Sequence, residues 1–108
     1  MTVKELANQF GYRVLCLPDG ERKISGGYAG DLLSWVMGQL EADQAWVTIM
    51  SNVNIVAVAA LSDPACIILS EKVMPDEGVL ERAEQQGINL LATEKTTFSV
   101  CADLASIL

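Results

Sequence analysis

From residue 45 onward, three short apolar runs of β character alternate with three segments of helical character. The runs are 45–50, 65–69 and 88–92, rich in Ala, Val, Ile and Leu. Between the first two lies Ile55-Val56-Ala57-Val58-Ala59-Ala60-Leu61, in which every residue is apolar. Periodicity cannot assign such a run, because a buried strand and a buried helix both accommodate it. Context assigns it to a helix: Ala is frequent, Ser and Asn precede it as caps, and parallel strands need a crossover. Met74-Pro75-Asp76-Glu77 opens an amphipathic helix, with Val79, Leu80 and Ala83 on one side and Glu81, Arg82, Glu84 and Gln85 on the other. Gly87 ends it. Thr96 caps a last helix, with Phe98, Cys101, Ala102, Ala105 and Leu108 along one face. This alternation predicts a three-layer α/β/α fold: a mainly parallel sheet of about four or five strands, helices on both faces and right-handed crossovers.

The first half is less regular. Thr2-x-x-Glu5 is a capping box, which predicts a helix over 3–10 ended by Gly11. Residues 13–17 read as a strand, Pro18-Asp19-Gly20 as a turn and 22–25 as a second short strand. Residues 25–31 read as a glycine-rich loop, after which Asp31 caps a helix over 32–40. Leu32, Leu33, Trp35, Val36, Met37 and Leu40 cover more than half of that helix, which predicts that it is largely buried. A length of 108 residues fits one domain over 1–108.

Charge narrows the partners. The formal net charge is −7, and no Lys or Arg occurs between Lys23 and Lys72. Nucleic acid and anionic membrane surfaces both demand clustered positive charge, so neither is an expected partner. The longest apolar run, seven residues, is far short of the roughly 20 that span a bilayer. The N-terminus lacks the pattern of a signal peptide, and Cys16, Cys66 and Cys101 form no C-x-x-C pair. These features predict a cytoplasmic protein with reduced, mostly buried thiols. An apolar content of 51% leaves enough apolar surface to predict self-association.

The second half resembles the DRTGG domain family. The resemblance is carried by the strand 45–50, the turn Ser51-Asn52-Val53-Asn54, the Ala-rich helix and the strand Cys66-Ile67-Ile68-Leu69. Met74-Pro75-Asp76, the stretch 87–93 and Thr96-Thr97-Phe98-Ser99 continue it, and Ser25-Gly26-Gly27-Tyr28-Ala29-Gly30-Asp31 adds to it in the first half. It spans about residues 10–108 and is similar to stand-alone DRTGG-like proteins described as HPr serine kinases. The resemblance implies a fold like the N-terminal domains of MurF and of HPr serine kinase/phosphorylase. It also implies a regulatory domain that dimerises and relays signals.

The residues themselves argue against phosphoryl transfer. No G-x-x-x-x-G-K-[ST] string is present, Asp31 stands where a phosphate loop places Lys, and the chain has no His. No cofactor and no metal are expected. Gly26, Gly27, Gly30 and Asp31 form one candidate ligand site, in which loop amides hold a small anion; the alternative is a tight turn and a helix cap. Ser51, Asn52 and Asn54 form a second, at the carboxyl end of a predicted parallel strand, where ligands of open α/β sheets bind; the alternative is capping. Thr93 and Thr96 are candidates to join that second pocket. Two functions follow: a homodimeric module sensing a nucleotide or small metabolite, or an adaptor for a protein partner such as a sensor kinase or redox complex. An accessory role in an HPr serine kinase-type system is a third.

Overall fold

A computed structural model describes residues 1–108. Its elements in chain order are α1 (Val3–Phe10), β1 (Arg13–Cys16), β2 (Gly26–Ala29), α2 (Leu33–Gln39), β3 (Gln44–Thr48), α3 (Asn54–Ser62), β4 (Cys66–Leu69), α4 (Val79–Gln85), β5 (Leu90–Ala92) and α5 (Thr97–Ile107). The five strands form one sheet in the order β1-β5-β4-β3-β2. β2, β3, β4 and β5 run parallel to their neighbours, and β1 is antiparallel to β5. The mainly parallel α/β/α sheet is as expected.

Strand alternation builds two cores. Trp46, Ile67, Leu69 and Leu90 point to one face and pack with residues of α2, α3 and α4. Ala45, Val47, Cys66, Ile68 and Leu91 point to the other and pack with α1 and α5. Both faces are covered, which is why β3 and β4 read as continuous apolar runs rather than alternating ones. The assignment of 55–61 to a helix holds, since α3 places Ile55, Val56, Val58 and Ala59 against the sheet.

Five local expectations are corrected. The glycine-rich stretch is not a loop: Gly26 and Gly27 lie in β2, paired with Gln44 and Ala45. The expected strand over 22–25 is reduced to a single bridge between Thr2 and Lys23. Asp31 does not cap α2, whose N-cap position is Leu32 with no side-chain bond. Nor is α2 largely buried: within the helix only Val36 is, and Leu32 and Trp35 are 69% and 65% exposed. The helix spans only seven residues and lays one stripe on the sheet, so the rest of its apolar circumference faces out. Finally, α5 buries Val100 and Leu104, while Phe98 on the predicted apolar face is 84% exposed.

The amino ends of the parallel strands are tied down. Arg22 lies 2.8 Å from both Asp43 and Asp63, the residues that precede β3 and end α3. Both aspartates have left-handed backbones, and the Asp43 N–H donates to the Asp63 carbonyl at 3.0 Å. Nearby, the Asn89 side chain is 2% exposed. Its amide donates to the carbonyls of Asp19 (2.7 Å) and Ala65 (3.0 Å) and accepts from the Asp19 N–H (2.9 Å).

Candidate functional site

Helix placement decides where a ligand can enter. The chain leaves β4 toward α4 on one face and leaves β5 toward α5 on the other. Adjacent parallel strands whose connections part in this way open a crevice at their carboxyl ends, the topological switch point of an open sheet. A cleft of about 490 Å³ lies there, lined by Gly11, Arg13, Lys72, Val73, Met74, Ala92, Thr93, Glu94 and Lys95. Its size is that of a small-molecule site.

The cleft gathers positive charge. Arg13, Lys72 and Lys95 are three of only seven Lys and Arg in the chain. Arg13 arrives because β1 is antiparallel, so its first residue sits opposite Ala92, the last of β5. Arg13 has no carboxylate within ion-pair distance, and Lys72 has only Glu94 at 3.8 Å, both side chains being well exposed. Lys95 is held more firmly. Its ammonium lies 2.9 Å from Asp103 Oδ2 and over the rings of Phe10 (5.4 Å) and Tyr12 (5.5 Å). The Tyr12 hydroxyl donates to the same carboxylate oxygen at 2.7 Å. Burial, reinforced by Asp103, pushes the Tyr12 phenol far above its ordinary range, so it remains a donor. Partial burial tends to raise the Asp103 carboxyl, but the bonds from Lys95 and Tyr12 outweigh it and hold the group below its usual value.

The rim is a strained but pinned loop. Glu71 and Lys72 both adopt left-handed backbones, φ 59° and 65°. For non-glycine residues each costs about 1 kcal/mol, and such outliers persist only where surrounding bonds impose them. Here the Glu71 N–H donates to the Lys95 carbonyl (2.8 Å) and the Lys72 N–H to the Thr93 carbonyl (3.1 Å). Glu71 Oε2 also accepts the first amide of α5, from Thr97, at 2.7 Å. The loops after β4 and β5 are thereby zipped together beneath the cleft.

The candidate residues separate. Thr93 lines the cleft, and its Oγ1 accepts the Lys95 N–H at 3.2 Å. Thr96 lies outside it and caps α5, accepting the Ser99 N–H at 3.1 Å. Ser51, Asn52 and Asn54 do not line the cleft. Asn52 Oδ1 accepts the Asn54 N–H at 2.9 Å, a local turn, and the Ser51 carbonyl accepts the Asp76 N–H at 2.9 Å. The connections from β3 and β4 both leave toward the same face, so no switch point opens there. Gly26, Gly27, Gly30 and Asp31 lie at the opposite edge of the sheet. A Cβ on Gly27 would stand 3.3 Å from Leu104, and the Gly30 carbonyl accepts the Trp46 indole N–H at 3.0 Å. Asp31 accepts the Thr48 hydroxyl and the Ile49 N–H, both at 2.9 Å, and so fastens the end of β3. The one glycine of the cleft, Gly11, is the left-handed cap of α1 and not part of a phosphate-cradling loop. Sequence reasoning missed Arg13, Lys72 and Lys95 because no motif links them. Only the place of β1 beside β5 brings them together.

The fold is thus an open, mainly parallel α/β sheet with a cationic crevice at its switch point. The chain belongs to the DRTGG domain family, whose model matches residues 5–107. No curated protein matches the sequence. Among solved structures, the chain is similar to the CBS and DRTGG domains of the regulatory region of a Clostridium perfringens pyrophosphatase, in complex with its activator diadenosine tetraphosphate. The TM-score is 0.69 at 10% identity, covering 95% of this chain and 45% of that one. The chain thus spans less than half of that structure. Family membership accords with the expectation that this chain is not itself an enzyme. No helix is long and apolar enough to cross a membrane.

Proposed function

We propose that this chain is a non-catalytic regulatory module, one domain over residues 1–108, that senses a small ligand in the β4–β5 crevice and works as a homodimer. The observation that carries the reading is the grouping of Arg13, Lys72 and Lys95 at the switch point of a strongly acidic chain. Family membership supports a regulatory role, and the related pyrophosphatase region is one that an activating nucleotide occupies. Leu32, Trp35 and Met37 on and beside α2 supply exposed apolar area for the dimer.

A thermal-shift screen over nucleotides and metabolites tests the sensing role. A ligand that binds only the folded state raises the apparent stability, and saturable stabilisation is the expected result. Silence across the library favours an adaptor for a protein partner, a reading that the exposed Leu61 and Phe98 also suit. Light scattering coupled to size exclusion tests the dimer, and a strict monomer at high concentration removes it. An accessory role in an HPr serine kinase-type system is the narrowest form of the adaptor reading. It requires binding to HPr in a pull-down with purified proteins.

A further inference from the structure

The shape and charge of the crevice specify its ligand more closely than the sensing role alone does, on which this inference rests. We infer that the crevice takes a phosphorylated small molecule carrying at least two negative charges. Its phosphate oxygens sit between Arg13 and Lys72, and its less polar remainder lies along Val73, Met74 and Ala92.

Several facts carry this assignment. Arg13 reaches the crevice from β1 and Lys72 from the loop after β4. Arg13 has no carboxylate within ion-pair distance, and Lys72 meets only Glu94, which also lines the crevice, at 3.8 Å between two well-exposed side chains. A planar guanidinium grips two oxygens of one phosphate, while an ammonium acts as a point charge beside it. One carboxylate would leave the second cation unmatched; a phosphate ester or a pyrophosphate group matches both. The chain as a whole repels anions at a net charge of −7, so an anion is held only where the local field is reversed. The strained pair Glu71 and Lys72 fixes the Lys72 backbone at the rim, pinned to the β5–α5 loop by the two bonds from 71 to 95 and from 72 to 93. Lys95 also lines the crevice, but Asp103 at 2.9 Å balances its charge, which leaves Arg13 and Lys72 as the cations that face a ligand. Three cations are too few for a nucleic acid backbone, which confines the ligand to a small molecule.

The test is a titration of the whole protein with sodium pyrophosphate, ATP and adenosine, followed by amide chemical shifts. Pyrophosphate and ATP are expected to move the signals of residues 72–74 and 92–95, with binding that weakens as salt rises. Arg13→Ala and Lys72→Ala are each expected to weaken binding about tenfold, and the double variant to remove it. Lys4→Ala, on α1 and away from the cleft, is expected to leave it unchanged. Well-dispersed spectra confirm that each variant folds. Equal affinity in the double variant, or shifts confined to another surface, overturns the assignment. If adenosine binds the crevice while pyrophosphate and ATP do not, the phosphate assignment falls and the sensing role stands. If no compound of the thermal-shift library binds either, the sensing role falls with it.

Discussion

Replacing Asn89 by Ala tests whether a buried amide holds the amino end of the sheet together. Asn89 is 2% exposed and makes three hydrogen bonds, two to Asp19 and one to the Ala65 carbonyl. Each such bond contributes about 1 kcal/mol net. Asp19 is exposed, so water takes over its two backbone groups when the side chain is cut back. Ala65 is buried at 1%, so its carbonyl is stranded, and that desolvation costs about 1–3 kcal/mol. The sum is a loss of roughly 3 kcal/mol, a large part of the stability expected of so small a chain. At about 2.1 cal/mol/K per residue, the unfolding entropy of this chain is roughly 0.23 kcal/mol/K near 60 °C. The Tm should therefore fall by about 13 °C, with a matching drop in the guanidinium midpoint and little change in its slope. Asn89→Leu, which restores volume but not the donor, should recover less than half of the loss. A Tm within about 2 °C of wild type for Asn89→Ala would falsify the view that this amide is a structural tie.

Three further outcomes are expected. Arg22→Gln should lower stability at pH 7 by about 0.5–1 kcal/mol, a modest amount because its partner carboxylates are exposed. The Arg22 hydrogen bond holds the Asp63 carboxyl below its ordinary 3.8, so this contribution is present above that value and is lost as pH falls through the lowered one. Denaturation curves for the two proteins should thus converge in acid; a gap that widens there is the contrary result. Burial raises all three thiols, Cys16 and Cys66 to about 12, so the native protein should react slowly with Ellman's reagent at pH 8. The partly exposed Cys101 should react first, and two fast thiols in the native state would contradict this. Thr96→Ala, which removes the α5 cap, should cost about 1 kcal/mol by chemical denaturation while leaving pyrophosphate affinity unchanged.

The second half of the fold was readable because each of its elements carries its own signal. β3 and β4 are apolar on both faces, and Thr96 announces α5 at the right residue. The polar turn before α3 marks its start, although the N-cap position itself is Val53 and Asn52 accepts only the Asn54 N–H. The first half misled where local chemistry and tertiary context disagree. Gly-Gly-Tyr-Ala has little intrinsic β preference, yet β2 forms because β3 offers a complete row of partners; a Cβ at Gly27 would press on Leu104 at 3.3 Å. The start of α4 was placed too early: Gly78, at φ 88°, bends the chain so that the helix begins at Val79. Asp31 looked like a cap because acids precede helices, but a nearer demand, the Thr48 hydroxyl and Ile49 amide, claims it. The candidate site was legible only through Thr93. Choosing Ser51 rather than Lys72 followed from taking every strand end as equal. Which face each helix covers decides where a crevice opens, and no residue pattern in the chain records that choice.

The antiparallel strand at the edge has a consequence for synthesis. β1 pairs with β5, Val14 standing opposite Leu91, so this segment leaves the ribosome well before the partner it pairs with. Until that partner emerges, β1 has no neighbour in the sheet. Such a long-range closure slows folding and leaves the nascent polypeptide vulnerable to aggregation. The same closure delivers Arg13, so the cationic cleft is complete only once β1 has docked on β5.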